Sequence, residues 1–402
     1  MALTPLSDAL HILMTQVPSA PSSSNEPLSQ CLWRTLAAPV TACIDVPGFD
    51  NSAMDGYAVR ARDLPGTLPV SQRIPAGAVA QPLMPGTAAR IFTGAMLPDG
   101  ADTIIMQEDV LAKEGEISVL GCVTHGQHIR RQGADIRVGH TILSEGRVLM
   151  PQDLGLAASL GYATLPVRRR LRVAVLTTGD ELVAPGEPRQ PWQIYNSNGP
   201  QICAQIEAMG MRAIETATLP DDPTIIGDAL ERAAVEADCI VTCGGVSVGE
   251  EDHVRAQIEA RGQLALWKLA IKPGKPLAFG VVEGCPVFGL PGNPVSAWVT
   301  FALVVRPWLA KAQGAELPSP RRFTAQAGFQ VDRPGSREEF LRVELHAGNP
   351  WIARKSSDQS SAVLSSVSHA QGLAIIPVGS TVKEGDPVQV LLMSELLSPL
   401  TA

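Results

Sequence analysis

From Leu171 onward the chain alternates short apolar runs with amphipathic stretches, and this alternation constrains its fold more than any other feature. RVAVLTTG, RAIETATL, DCIVTCGG and LALWKLAI read as strands, and Gly199–Met209, Pro223–Glu236 and Asp252–Arg261 read as helices between them. LAFGVV and VFGLPG follow as further strands, then a helix over Pro294–Ala312. Strands alternating with helices predict a mainly parallel sheet covered on both faces. In such sheets ligands sit at the carboxyl ends of the strands. The turns TTGDE, GGVSVGEED and PGNP each follow a strand, so they are expected along one edge.

The flanking segments have a different texture. Leu6, Leu10, Leu13, Met14 and Val17 repeat at helical spacing after a Thr4-Pro5 start signal. Between about Asp45 and Glu145, short β-type runs such as LPVSQRI, AARIFTG and DTIIMQEDV are split by Gly and Pro. Another helix follows from Pro151 to Leu160, which predicts that the β segment is inserted into a helical region. After the proline-rich stretch at 317–320, the runs FLRVEL, GLAIIP and VQVLL predict a small C-terminal β-barrel-like domain. The expected division is 1–44 plus 146–168 (helical region), 45–145 (inserted β domain), 169–316 (α/β domain) and 317–402 (C-terminal β domain).

The hydrophobic fraction of 45% and charged fraction of 18% belong to a core-forming chain. A net charge of −8 argues against non-specific nucleic-acid binding. An anionic ligand would therefore need a local cluster of cations or a metal. The seven cysteines lack CxxC pairing and read as reduced residues of a cytoplasmic protein. The N-terminus carries no secretory pattern, and no apolar run reaches membrane-spanning length.

Chemistry concentrates between Asp238 and Pro276. Gly244, Gly245, Ser247 and Gly249 form a glycine-rich turn, followed by Glu250, Glu251 and Asp252 at a helix start. A phosphate-binding P-loop would need Lys-Ser/Thr after the last glycine, and Glu-Glu stands there. Exposed backbone N–H groups leading into a helix still suit an anion. A tight turn whose acids complement the helix dipole explains the same residues. Asp180 and Glu181 after one strand, and Asp221 and Asp222 after the next, are of the type that holds Mg²⁺ on phosphate oxygens. Helix caps remain the alternative for each. Lys268, Lys272 and Lys275 bracket a Pro-Gly turn in an otherwise apolar stretch, as charges suited to an oxyanion or as solvated surface lysines. Asp55 and Thr93 read on their own as turn residues, and Asp135 as a cap or a local hydrogen-bonding residue.

PGFDNSAMDGYAV, IFTGAMLPDGAD, VAVLTTGDELV with IYNSNGPQI, CGGVSVGEEDHV, LAIKPGKPLAFG and FGLPGNPVSA occur in one order. This combination resembles the molybdopterin molybdenumtransferase family, which includes MoeA and the E domain of gephyrin-type proteins. The resemblance covers nearly the whole chain and is strongest from Phe49 to Pro307. It implies an elongated four-domain α/β subunit, paired in a homodimer, with a cleft between the α/β domain of one subunit and the inserted domain of the other. It also implies a reaction. Adenylylated molybdopterin, supplied by an upstream molybdopterin adenylyltransferase, is hydrolysed with Mg²⁺ to release AMP, and molybdate-derived molybdenum enters the pterin dithiolene.

By matching position, the resemblance makes Asp55, Asp135, Glu181, Asp221 and Asp252 the acidic catalytic set, with Glu181, Asp221 and Asp252 toward the metal. It gives Thr93, Gly244, Gly245, Ser247, Gly249, Lys268, Lys272, Lys275, Arg342 and Ser361 to substrate binding, with Arg337 as the rival of Arg342. Two departures stand out: Ala134 occupies a place where the family commonly has an acid, and Ser360 one where it commonly has glycine. The competing readings are an adenylyltransferase or nucleotide pyrophosphatase on the same α/β domain, and a peptide-binding scaffold. The enzymes among these would not need both the SAMDGYAV-bearing β domain and the C-terminal domain.

Overall fold

The computed structural model describes residues 3–215, 218–245, 253–316 and 320–397. The expected Ser247, Gly249 and Asp252 lie outside these residues. Contacts group the chain into two units, Met1–Ala38 with Glu145–Met150 and Pro166–Ala402, and Pro39–Ser144 with Pro151–Leu165. Helix α1 (Leu6–Met14) opens the first unit and buries Ala9 and Leu13 in its main core.

The second unit carries strands β1 (Gly56–Val59), β2 (Thr67–Ile74), β3 (Ala88–Ile91), β4 (Thr103–Met106), β5 (Val110–Lys113) and β6 (Glu116–Val119). They form one curled sheet in the order β4-β1-β3-β2-β6-β5. Alternation sends Ala58, Ile91 and Ile104 to one core and Val59, Ala88 and Ile105 to another. Gly56 is forced by close approach, since a Cβ there would lie 1.9 Å from the Ile105 carbonyl oxygen. Helix α2 (Pro151–Ser159) belongs to this unit by its contacts.

The first unit is built on β7 (Arg172–Thr177), β8 (Arg212–Glu215), β9 (Cys239–Cys243), β10 (Gly262–Trp267), β12 (Ala278–Val282) and β13 (Cys285–Leu290), while β11 (Ile271–Lys272) leaves that sheet. The order is β8-β7-β9-β13-β12-β10. The first four strands run parallel, and β12 and β10 add antiparallel at one edge. Helices α3 (Asn198–Ala208), α6 (Pro294–Thr300) and α7 (Arg306–Ala312) cover one face. A π-helical turn, Phe301–Val305, joins α6 to α7. Helices α4 (Pro223–Glu236) and α5 (His253–Arg261) cover the other face. Val173, Val175 and Val241 point to the first face, and Ala174, Leu176 and Ile240 to the second. That two-sided burial is why these strands read as continuous apolar runs.

One expected strand breaks. LALWKLAI does not run through as a single element. Lys268 adopts the left-handed conformation, φ 75°, and turns the chain. The second half, β11, pairs instead with β15 (Glu338–His346) of the C-terminal sheet. That sheet closes as a five-stranded barrel. β15 pairs with β16 (Ile352–Lys355) and β17 (Gly372–Ile376), and β14 (Arg322–Ala327) and β18 (Pro387–Leu392) complete the ring. Leu341, Val343, Ala374 and Val390 fill it.

Candidate active site

The carboxyl ends of β7, β9 and β13 open onto a cavity of about 750 Å³ in the first unit. Thr178, Gly179 and Glu181 come from the turn after β7, Gly244 and Gly245 from the turn after β9, and Gly292 and Asn293 from the turn after β13. Asp221 joins them from the segment before α4. The TTGDE and PGNP turns and the two glycines that open GGVSVGEED therefore share one edge of the sheet.

Glycine makes this convergence possible. A Cβ on Gly244 would stand 2.5 Å from the Thr178 carbonyl oxygen, and Gly244 has φ 105°. A Cβ on Gly179 would stand 2.6 Å from Glu181 Oε2. Small residues thus let two strand ends approach and let the Glu181 carboxylate fold back over its own turn. The Asp221 N–H donates to Asp180 Oδ1 at 3.1 Å, and the Asp180 N–H donates to Asp221 Oδ2 at 3.4 Å, so the two acidic turns hold each other.

The paired acids separate by role. Asp222 accepts from the Thr224 and Ile225 N–H groups at 2.8 and 3.0 Å and caps α4. Asp221 is left to line the cavity with Glu181. Two carboxylates beside a glycine turn fit a divalent ion that takes its remaining ligands from phosphate oxygens and water. Among the described residues no third His, Cys, Asp or Glu completes a protein-only metal cluster.

A second cavity of about 470 Å³ lies between the Lys272 segment and the barrel. Lys272, Arg342 and Lys355 line it together with Arg333, Glu339 and Gln359. Arg342 is 1% exposed. Its Nε donates to Ser366 Oγ and its Nη2 to the Ser360 carbonyl oxygen, both at 3.1 Å. Burial lowers its pKa, against the opposing influence of Asp358. Among the described residues no carboxylate forms an ion pair with it. A buried guanidinium whose partners are neutral has the charge and fork geometry to bind an anion. Arg337 instead donates to the Ile271 carbonyl oxygen at 3.2 Å.

The Lys272–Pro276 turn contributes to both cavities, with Lys272 and Pro273 in the second and Pro276 in the first. Lys272 Nζ also meets Glu339 Oε1 at 3.1 Å. Lys268 and Lys275 line neither cavity, and their carbonyl oxygens accept from the Thr4 and Leu269 N–H groups at 3.2 and 2.8 Å. The Ser361 carbonyl oxygen accepts from the Val295 N–H at 3.0 Å, which seats Ala362 in the first cavity.

In the second unit Asp55 and Thr93 meet. Asp55 Oδ1 accepts from both the Thr93 N–H and Thr93 Oγ1 at 2.8 Å. These two bonds, the backbone one foremost, hold the Asp55 carboxyl below its ordinary pKa. Asp135 lies in the same unit, where its N–H donates to the Val46 carbonyl oxygen at 3.0 Å, and among the described residues no bond links it to Asp55 or Thr93.

Four residues that sequence reasoning did not single out also line the first cavity. Ile194 and Tyr195 form an exposed apolar rim. Asn198 donates from Nδ2 to the Gly292 carbonyl oxygen at 2.7 Å, while its Oδ1 and Thr178 Oγ1 are buried with no partner among the described residues. The NSNG turn after Tyr195 was the available signal, yet asparagine beside glycine looks the same in an ordinary turn.

Residues 4–161 match the MoeA N-terminal region (domain I and II), 174–311 the probable molybdopterin binding domain, and 324–393 the MoeA C-terminal region (domain IV). A molybdopterin molybdenumtransferase of Haemophilus influenzae is 42% identical over 342 residues, covering 84% of this chain and 85% of that protein. The chain belongs to the molybdopterin molybdenumtransferase family. A Nostoc relative of the same name is 34% identical, covering 96% of this chain and 92% of its own. The molybdopterin biosynthesis MoeA protein of Pyrococcus horikoshii OT3 superposes with a TM-score of 0.85 at 31% identity, covering 97% of this chain and 100% of that one. The matched regions take in nearly all of the β unit and the barrel, the two parts a pterin-domain adenylyltransferase or pyrophosphatase would not both need. Among the described residues no helix is long and apolar enough to cross a membrane.

Proposed function

We propose that this chain inserts molybdenum into molybdopterin, taking adenylylated molybdopterin and molybdate and releasing AMP. The observation that carries this reading is the pair of cavities sharing the Lys272–Pro276 turn. One presents glycine backbone and two carboxylates, as a metal-bound diphosphate requires. The other presents a buried guanidinium and lysines, as a tetrahedral dianion requires.

In this reading Glu181 and Asp221 hold Mg²⁺, with Asp252 as a further ligand, and the ion would polarise the diphosphate and favour attack by water. The N–H groups of the Gly244-Gly245 turn orient the phosphates. Lys272 and Arg342 hold molybdate, with Lys268, Lys275 and Ser361 as further substrate-binding residues. Asp55, Thr93 and Asp135 act from the β unit. A homodimer, the arrangement implied by family resemblance, would give Asp55 and Thr93 to the partner subunit's cleft. The division into 1–44 with 146–168, 45–145, 169–316 and 317–402 is proposed as the functional one, with a molybdopterin adenylyltransferase as donor and the cytoplasm as the site of action.

The test is incubation with adenylylated molybdopterin, Mg²⁺ and molybdate, following AMP and pterin-bound molybdenum together. Stoichiometric appearance of both is expected. AMP release without molybdenum insertion would replace this reading with a pyrophosphatase.

A further inference from the structure

We propose that Arg90 is a positioning residue for the reaction, holding Asp55 and Thr93 in one arrangement by tying together the turns that carry them. This rests on the reading of Asp55 and Thr93 as site residues. Asp55 immediately precedes β1, and Thr93 lies just past the end of β3. Arg90 stands on β3 directly across from Tyr57 of β1.

Its guanidinium spans three segments. Nη1 donates to the Gly56 carbonyl oxygen at 3.1 Å, next in the chain to Asp55. Nη2 donates to Gln107 Oε1 at 2.6 Å. The Gln107 N–H in turn donates to the Asp55 carbonyl oxygen at 3.1 Å. Both backbone carbonyls flanking the start of β1 are thereby fixed, one by Arg90 and one by the residue Arg90 holds.

The aromatic contacts supply the other end of the tie. The Arg90 guanidinium lies 5.0 Å from the Tyr57 ring centroid and 4.7 Å from that of Phe92, the residue before Thr93. Arg73 approaches the same Phe92 ring at 4.5 Å. Stacking fixes the plane of the fork, and the fork fixes two acceptors on different segments. A lysine could carry the charge but could not reach both acceptors or stack in the same plane. Arg90 forms no ion pair among the described residues, so its bonds are spent on position. Its charge also helps to keep Asp55 ionised, after the two Thr93 bonds.

The full chain is tested as Arg90→Gln, Arg90→Lys, Asp55→Asn and the double variant Arg90→Gln/Asp55→Asn. Two quantities are read: the rate of AMP release with molybdenum insertion, and hydrogen exchange of the Thr93 amide. Losing a charge-assisted bond should slow turnover by about tenfold and speed exchange at Thr93 by a similar factor. The Km for molybdate should not move, and Arg90→Lys should fall between. The double variant should be no slower than Asp55→Asn alone, because Arg90 acts through Asp55. Unchanged exchange at Thr93, or losses that multiply in the double variant, would overturn the proposal. Wild-type turnover in Asp55→Asn would instead overturn the site reading of that turn, and exchange at Thr93 would then decide the positioning on its own. If Arg90→Gln does not fold, Gln107→Ala removes one end of the tie and is read the same way.

Discussion

Replacing Arg342 by glutamine separates a structural clamp from an anion-binding residue. The guanidinium is buried and donates to Ser366 Oγ and the Ser360 carbonyl oxygen, both at 3.1 Å. A hydrogen bond from a charged donor is worth about 1.5–3 kcal/mol, while burying a cation with no anion beside it costs several kcal/mol. Ser366 Oγ keeps a partner in either case, since it donates to the Val363 carbonyl oxygen at 2.7 Å. These terms oppose one another, so stability should change by only about 1–2 kcal/mol. Molybdate binding has no such offset. Loss of one charge-assisted bond of about 1.5–3 kcal/mol raises the apparent Kd roughly 10- to 150-fold. The assay is a molybdate titration at saturating adenylylated molybdopterin, read as pterin-bound molybdenum, beside a urea unfolding curve. Arg342→Lys should recover part of the binding, as a point charge without the fork. A stability loss of about 3 kcal/mol or more with an unchanged molybdate dependence would show that Arg342 only clamps Ser360 and Ser366, and the anion reading of the second cavity would fail.

Glu181→Gln and Asp221→Asn should each raise the Mg²⁺ concentration needed for AMP release by about tenfold or more while leaving the unfolding midpoint in place; an unchanged Mg²⁺ dependence would remove that residue from the metal site. Lys272→Ala should raise the molybdate requirement, and an unchanged dependence would remove Lys272 from the anion cavity. Asp238 accepts from Arg169 Nη1 and Nη2 at 2.8 and 3.0 Å and from the Arg172 N–H at 2.8 Å. Burial pushes its carboxyl up, but these bonds outweigh burial and hold it below its ordinary value. A depressed folded-state pKa stabilises above the unfolded value of about 3.9 and is lost as pH falls through the lower folded value. Urea midpoints should therefore drop below about pH 4, and Asp238→Asn should flatten that drop; identical acid limbs would refute the linkage.

The parts of this molecule legible in the sequence are those where one physical demand writes a pattern. Strand β9 is buried on both faces, so Cys239–Cys243 reads as an apolar run whatever surrounds it. Helix α4 declares itself through Asp222 and Pro223, a capping side chain and a proline at the first turn. Which of two adjacent acids caps and which faces a cavity is not written locally. Asp221 and Asp222 differ only in where the chain has turned by the time it reaches them. Resemblance alone favoured Arg342 over Arg337; the physical difference between them lies in the barrel register, which buries one and leaves the other on the Ile271 carbonyl. Asn198 and Arg90 escaped notice for a related reason. Their significance lies in partners far off in the chain, Gly292 for one and Gly56 and Gln107 for the other.

The broken strand at Lys268 shows how such long-range geometry sets chemistry. Had LALWKLAI continued as one element, it would have run past the end of β12, which begins opposite Trp267, and Lys272 would not have crossed to the barrel sheet. The left-handed turn at Lys268 sends Ile271 and Lys272 across to pair with Glu338 and Glu339 instead. A residue other than glycine in that conformation is strained by about 1 kcal/mol, and the strain persists only because the surroundings fix it. Here the Lys268 N–H donates to the Leu277 carbonyl oxygen at 3.1 Å, and its carbonyl oxygen accepts from Thr4 at 3.2 Å. Thr4 also accepts from the Ala270 N–H at 2.7 Å, so the N-terminal segment straddles the break. The same few residues that end one strand therefore carry Lys272 to the barrel and return Pro276 to the sheet edge, which is what gives one short turn a wall in both cavities.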